Sequence, residues 1–386
     1  MVEFCKAKEG EIEDIIDFIN MIFSMNGAPH QFKTLLPKLY GEKAKTESFH
    51  YIAREKGKIR GVIGSFPIEL SYGENRLKCA MIGSVSVHPS DREKGYMKNL
   101  MELAMADMQQ QGMAFSCLSG QRQRYAYYGY EKTGYFYHYF IQSANIKHCS
   151  YNFPKFQVEL REIEELGTTL ELLHQLYEKK NGMVLRDKSI FFEICKSWNA
   201  KMVGVWLQEK LVGYLCISGN QILEYVLEEE KYLVSVLEQW FQTKNQREIV
   251  LKIQPYEWEK QAILNQLAEQ SSLQIGANYK ILDYKQVLNF YFQVKTHYEW
   301  LEDGELYFEI LKMNGEKERI AIKVKEGNVV VSEWKGFVES FVTLSETEFL
   351  QIVFTPFPIW EEKKRKSQKY GNWFPLPLGI SEQDLC

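Results

Sequence analysis

No stretch of about 18 consecutive apolar residues, the length a membrane-crossing helix needs, occurs in this sequence, and its opening residues lack the apolar core of a secretory signal. The expectation is a soluble, cytoplasmic protein with no membrane partner. Also missing is any CxxC pair: Cys5, Cys79, Cys117, Cys149, Cys195, Cys216 and Cys386 follow no regular spacing. That excludes a zinc ribbon or a dithiol redox motif and leaves reduced structural thiols as the expectation. The histidines are equally scattered, no two at a metal-type spacing on one helix, so no metal is expected. No Asn-x-Ser/Thr acceptor is present, in keeping with an intracellular chain. Neither sign of charge prevails: 47 Lys plus Arg stand against 51 Asp plus Glu, a net charge of −4, which argues against a general polyanion binder. The one basic run, Lys363 to Lys366, adjoins Glu361 and Glu362 and has no stacking platform beside it, so it reads as a solvated loop and no nucleic-acid partner is expected.

What is present is a folded-chain balance, 45% hydrophobic and 25% charged over 386 residues, enough for two or three domains. Ile12, Ile15, Ile16, Ile19, Ile22 and Phe23 repeat at helical spacing and predict an opening amphipathic helix. Hairpins turn at 55–58 and 72–75. A long strand, Leu77 to Val87, stops at His88-Pro89, and Met97, Leu100, Met101, Ala104, Met105 and Met108 define one face of a second helix. Met113 to Leu118 is a short buried-strand run. Residues 150–285 repeat this order more weakly: a hairpin at 201–217, a strand at 222–227, a helix at 232–241 and a strand at 249–253. The texture then changes to short strands with Asn314-Gly315 and Gly327-Asn328 turns. A helix follows, with Ser345 and Glu348 placed as a capping box, and then an extended tail. The expected division is 1–150, 151–285 and 286–386, the first two being copies of one mixed α+β architecture in which helices flank a mixed sheet.

The informative junction is Val85-Ser86-Val87-His88-Pro89-Ser90-Asp91-Arg92-Glu93-Lys94-Gly95-Tyr96-Met97. A strand ends, a loop turns, and Gly95 admits close backbone approach before a periodic helix begins. N–H groups bared at that helix start suit a phosphate or pyrophosphate, and Arg92, Lys94 and Lys98 add positive charge. Downstream, Arg124-Tyr125-Ala126-Tyr127-Tyr128-Gly129-Tyr130 is an aromatic turn with glycine at fixed spacing. An aromatic cluster is ordinarily core, and the Gly129 spacing is what tips Tyr125 toward catalysis. Ser119, just past a strand, either meets a cofactor arm or caps the next turn.

V-x-V-x-P-x-x-R-x-x-G resembles the acetyl-coenzyme A motif of the GCN5-related N-acetyltransferases (GNAT), and the Tyr125 turn resembles that superfamily's second signature, with Arg124 standing where an aromatic is usual. Over its whole length the chain resembles the Eis (enhanced intracellular survival) type, two acetyltransferase-like units and a sterol-carrier-like one, most strongly in residues 77–130. The resemblance implies acetyl-coenzyme A as co-substrate, held by Val85, Ser86, Val87, Arg92, Glu93, Lys94, Gly95, Tyr96, Met97, Lys98 and Ser119. It further implies Tyr125 facing the leaving sulfur, and the terminal carboxylate of Cys386 entering the first unit as base. The acceptor it implies is a primary amine of an aminoglycoside or polyamine-like small molecule, and the assembly a hexamer or a trimer. Met97 stands where many members carry Gly or Ala. In the second copy Leu227-Glu228-Glu229-Glu230-Lys231 replaces the loop motif, and three carboxylates would repel a pyrophosphate, so only the first copy should bind coenzyme. A peptide lysine acetyltransferase and a non-catalytic lipid-binding scaffold are the competing expectations.

Overall fold

The computed structural model describes residues 1–25, 27–164, 167–180, 183–244, 246–357 and 371–386, and the basic run at 363–366 lies outside them. The chain opens with β1 (Val2–Lys6) and α1 (Ile12–Ser24), then two single-turn helices, α2 (Phe32–Leu35) and α3 (Pro37–Tyr40). Ile15, Ile16, Phe18, Ile19 and Ile22 form the buried stripe of α1. The meander β2 (His50–Glu55), β3 (Lys58–Tyr72) and β4 (Asn75–Val87) follows. Its first turn works because Lys56 and Gly57 take φ of 50° and 75°, the left-handed values of a two-residue hairpin. Next come α4 (Tyr96–Gln110), β5 (Phe115–Leu118), α5 (Arg122–Ala126), β6 (Glu131–Lys132), β7 (Tyr135–Gln142) and α6 (Ser143–Cys149).

The order then recurs. β8 (Val158–Glu162), α7 (Gly167–Lys179) and α8 (Phe191–Lys196) precede the meander β9 (Lys201–Leu207), β10 (Lys210–Ser218) and β11 (Gln221–Leu227). After it run α9 (Leu233–Lys244), β12 (Glu248–Ile253), α10 (Trp258–Leu267), β13 (Gln270–Ile275) and β14 (Asn278–Ile281). The rest is α11 (Tyr284–Thr296), β15 (Gly304–Leu311), β16 (Lys317–Lys325), β17 (Asn328–Glu333), β18 (Val342–Ser345) and α12 (Glu346–Phe354), with an irregular tail. Both bonds of the expected capping box form: Ser345 Oγ accepts from the Glu348 N–H, and the Glu348 carboxylate accepts from the Ser345 N–H.

Among the described residues the strands make three sheets, ordered β1-β2-β3-β4-β5-β14-β6, β8-β9-β10-β11-β12-β7-β13 (read from its other edge) and β17-β16-β15-β18. The first two correspond strand for strand, with one exchange. β7 follows the first sheet in sequence yet lies between β12 and β13, while β14 follows the second and lies between β5 and β6. Boundaries at 150 and 285 therefore separate each of these strands from its sheet. Sheet membership is set by ladder pairing, which sequence neighbourhood does not reveal.

One face of the first sheet packs on α4 through Leu100, Met101, Ala104 and Met108. Its other face joins α1, α11, the third sheet and tail residues Trp373 to Ile380 in one continuous apolar cluster. Among the described residues the third sheet thus shares its core with the first. No helix among the described residues is long and apolar enough to cross a membrane.

Candidate active site

β4 and β5 run parallel and pair only from Cys79↔Phe115 to Ile82↔Leu118. β4 continues to Val87 while β5 ends at Leu118, so the strands part and leave a cleft at their C-terminal ends. Within that stretch β4 is bulged: Gly83 opposes Gly64 and Ser86 opposes Val62, which leaves Ser84 and Val85 outside the ladder, Ser84 at φ 53°. A bulge releases backbone polar groups from the sheet and aims them elsewhere. Gly83 beside a polar residue inside a strand pattern was a readable sign of it.

The loop beyond is clipped shut from within. Asp91 is buried, Lys94 Nζ donates to its Oδ1 at 2.7 Å, and Arg60 pairs with its other oxygen. The Lys94 hydrogen bond, with that of Arg60, holds the Asp91 carboxyl below its usual range. Lys94 therefore spends its charge on the loop and is not the free cation the spacing predicted. Lys98 lies 3.9 Å from Glu102, whereas Arg92 is exposed and has no ion-pair partner among the described residues. Glu93 (φ 66°) and Gly95 (φ 79°) are both left-handed, and the turn they make delivers the chain into α4. The N–H groups of Glu93, Gly95, Tyr96, Met97 and Lys98 have no acceptor among the described residues. This is the concave row of donors an anion requires. The side chains of Tyr96, edge-on to Phe4 at 5.7 Å, and Met97 belong to the core under α4, so these two residues offer the cleft their backbone. Ser86 Oγ donates to the Ser84 carbonyl at 3.1 Å and holds the bulge, flanked by half-buried Val85 and Val87.

Tyr125 on α5 is 5% exposed, packs beside Gly120 and meets Tyr130 edge-on at 6.4 Å. Burial pushes its hydroxyl pKa up, the Arg124 charge opposing. Ser119 is exposed. It lines a cavity of about 260 Å³ together with Tyr135, Phe136, Trp198, Glu382 and Leu385.

Cys386 reaches the first sheet. A Cβ built on Gly83 would lie 2.7 Å from Cys386 Sγ, so the absence of a side chain at Gly83 makes room for the tail immediately before the bulge. Burial pushes the Cys386 thiol up to about 12, which keeps it protonated. Two anchors that spacing did not point to fix the tail. Lys38, buried on α3, donates to the carbonyls of Gln383 (2.5 Å) and Leu385 (2.6 Å). Burial lowers its ammonium to about 8. Arg186, its side chain fully buried, makes bidentate pairs with Asp384 (2.8 and 2.9 Å) and Glu224 (2.8 and 2.6 Å).

A polar chain also supports the bulge from beneath. His50 Nδ1 lies 2.8 Å from the Thr46 carbonyl, which can only accept, so Nδ1 carries the proton and Nε2 accepts from Tyr40 at 3.1 Å. Tyr40 Oη is then free to accept from Ser84 Oγ at 2.5 Å. Burial lowers His50 to about 4, so the ring is neutral at pH 7. One trio among the described residues, Cys195, Cys216 and Glu224, lies close enough to share an ion. Its carboxylate is already saturated by Arg186, Tyr214 and Ser381.

Residues 3–137 match the family model described as an acetyltransferase (GNAT) domain. No curated protein matches the sequence. Among solved structures, a GCN5-related N-acetyltransferase from Anabaena variabilis is similar over 99% of this chain and 98% of its own, at TM-score 0.66 and 15% identity. A probable N-acyltransferase from Enterococcus faecalis is similar over 90% and 88% (TM-score 0.64, 15% identity). Eis1 from Mycobacterium abscessus is similar over 95% and 92% (TM-score 0.64, 14% identity). The cleft, the bulge and the loop described above all fall within the matched residues: this part of the chain is an acetyltransferase (GNAT) domain, and the protein is an N-acetyltransferase.

Proposed function

We propose that the protein moves the acetyl group of acetyl-coenzyme A to a primary amine of a small polycation, an aminoglycoside or polyamine, at the cleft between β4 and β5. The observation that carries this reading is the bulge at Ser84 and Val85, which stands between the row of free N–H groups at Gly95 and the end of the tail. Bound there, coenzyme would supply an activated thioester. The free N–H groups of Glu93 and of Gly95 to Lys98, with the Arg92 guanidinium, hold its pyrophosphate, and strand backbone at Val85 to Val87 faces the acyl oxygen.

Proton handling falls to two groups. Tyr125 stays protonated because burial raises it. Since a phenol near ~10 is a weaker acid than a thiol near ~8.5, it stabilises the departing sulfur by donating a hydrogen bond more than by yielding the proton outright. The main-chain carboxylate of Cys386, the last residue of this sequence, takes the proton from nitrogen after attack, when that nitrogen has become strongly acidic. The aromatic cavity between Ser119 and Leu385 is the approach for the acceptor. We assign residues 1–150, less β7, to the catalytic unit and 151–285, less β14, to a second acetyltransferase-like copy that binds no coenzyme. Residues 286–386 form a sterol-carrier-like unit whose tail completes the first. The assembly is a cytoplasmic homo-oligomer, a hexamer or a trimer. A tail seated against the first sheet favours catalysis over a lipid-binding scaffold.

Thiol release from acetyl-coenzyme A across an amine panel tests the reading. Tyr125→Phe should lower kcat about a hundredfold with coenzyme affinity unchanged. Gly95→Glu, which strains a left-handed residue and adds an anion, should abolish coenzyme binding. A chain extended beyond Cys386 should lose turnover. Full activity of the extended chain would remove the carboxylate from the mechanism, and unchanged coenzyme affinity in Gly95→Glu would remove the site.

A further inference from the structure

The buried chain under the bulge has a direction, and it ends at the cleft. The Thr46 carbonyl is an acceptor only, so His50 Nδ1 is a donor and Nε2 an acceptor. Tyr40 therefore donates to Nε2, and its oxygen is left to accept. The hydrogen of that second bond comes from Ser84, whose Oγ lies 2.5 Å away. Ser84 makes no other side-chain hydrogen bond among the described residues. Its proton is committed to Tyr40, and Oγ keeps two unused lone pairs.

Burial fixes this direction near neutral pH. It pushes the Tyr40 hydroxyl up, with the Ser84 bond opposing and Cys386 adding, so the phenol stays protonated. It lowers His50 to about 4, so Nε2 remains a bare acceptor and takes no proton from Tyr40. The chain orients hydrogens and does not carry them away. Ser84 itself, at φ 53°, is lifted with Val85 out of the ladder to β3. It is half-buried and follows Gly83, against whose bare side Cys386 Sγ rests. An oxygen with lone pairs and no hydrogen to offer thus sits in the chain between the end of the tail and the backbone of Val85.

We propose that Ser84 Oγ accepts one N–H of the attacking amine, and that Tyr40 and His50 are positioning residues that keep the Ser84 hydrogen turned away. This rests on the acetyl-transfer reading of the cleft. A hydroxyl free to turn would donate to the nitrogen lone pair and mask the nucleophile. Held by Tyr40, it can only receive. A primary amine brings two N–H groups. As nitrogen bonds to the acyl carbon and sulfur leaves with the C–S electron pair, one proton passes to the Cys386 carboxylate and the other stays hydrogen-bonded to Ser84. A secondary amine has a single N–H and cannot serve both oxygens, so the arrangement selects primary amines.

Thiol release from acetyl-coenzyme A with 1,4-diaminobutane and with its N,N′-dimethyl derivative, in which both nitrogens are secondary, tests the proposal. The unaltered chain should favour the diamine by about tenfold or more in kcat/KM. Ser84→Ala and Tyr40→Phe should each lower kcat for the diamine about tenfold and narrow that preference, while calorimetric affinity for coenzyme A stays unchanged. Tyr40→Phe keeps the Ser84 side chain, and so separates hydrogen bonding from the space that Ser84→Ala opens. The double variant should be no slower than Ser84→Ala, because Tyr40 acts through that oxygen. Full kcat in Ser84→Ala, additive losses in the double variant, or a preference narrowed by Ser84→Ala alone would each overturn the assignment and leave the acetyl-transfer reading standing. No release by the unaltered chain with the diamine would overturn the polyamine reading and this assignment together.

Discussion

His50 shows how one buried side chain ties acidity to the site. Its folded pKa of about 4 lies below the ordinary 6.5, because burial disfavours the imidazolium. The sign follows from proton counting. Above about 6.5 neither the folded nor the unfolded ring is protonated and the stabilisation is complete. Between 6.5 and 4 only the unfolded ring gains a proton, so stability is lost as the pH falls. A gap of that size is worth about 3 kcal/mol. The stability difference between the unaltered chain and His50→Gln, measured by urea unfolding, should therefore shrink by about 3 kcal/mol from pH 7 to below pH 4. A difference independent of pH would mean that the ring is not held neutral. Tyr125 and Gly95 could be singled out from the sequence because each sits in a local pattern with a fixed spacing. Lys38, Tyr40 and Arg186 could not, since their partners Leu385, Ser84 and Asp384 lie tens to hundreds of residues away and no spacing rule links them.

Among the elements, hairpins and amphipathic helices were readable to within a few residues. The signals that define them, a turn glycine at 57 or an apolar stripe in α4, are confined to one segment. The charge assignment in the loop was less accurate. A lysine before a helix start looks like an anion ligand, yet in space Lys94 meets Asp91, three residues back. The tail is the element with most at stake. Lys38 donates to two of its carbonyls, so Lys38→Met should release it. Amide exchange over 380–386 should rise by about tenfold or more, and turnover should fall with coenzyme affinity retained. Unchanged protection would show that the remaining contacts, Arg186 on Asp384, Trp198 on the Leu385 carbonyl and Gln383 on the carbonyls of α8, hold the tail without Lys38.

At the scale of the whole molecule, the three sheets follow changes of texture along the sequence, but their interdependence leaves no mark in it. The exchange of β7 for β14 and the apolar cluster common to the first and third units mean that no cut leaves an intact piece. Residues 1–150 made alone would present β5 with an empty edge, and they are expected to show no cooperative unfolding transition by circular dichroism, whereas the full chain should. A cooperatively folded 1–150 fragment would contradict the exchanged pairing.

The same crossing sets a schedule for synthesis. Asn278 takes its place against Leu118 from 160 positions downstream. At ~5–20 residues per second the ribosome needs roughly 8–30 s to supply that neighbour. Through that interval the nascent amino-terminal half has an open strand border, an invitation to mispairing with other copies. Chaperone dependence during translation, in place of stepwise maturation from the amino terminus, is the cost of weaving two sheets from one thread.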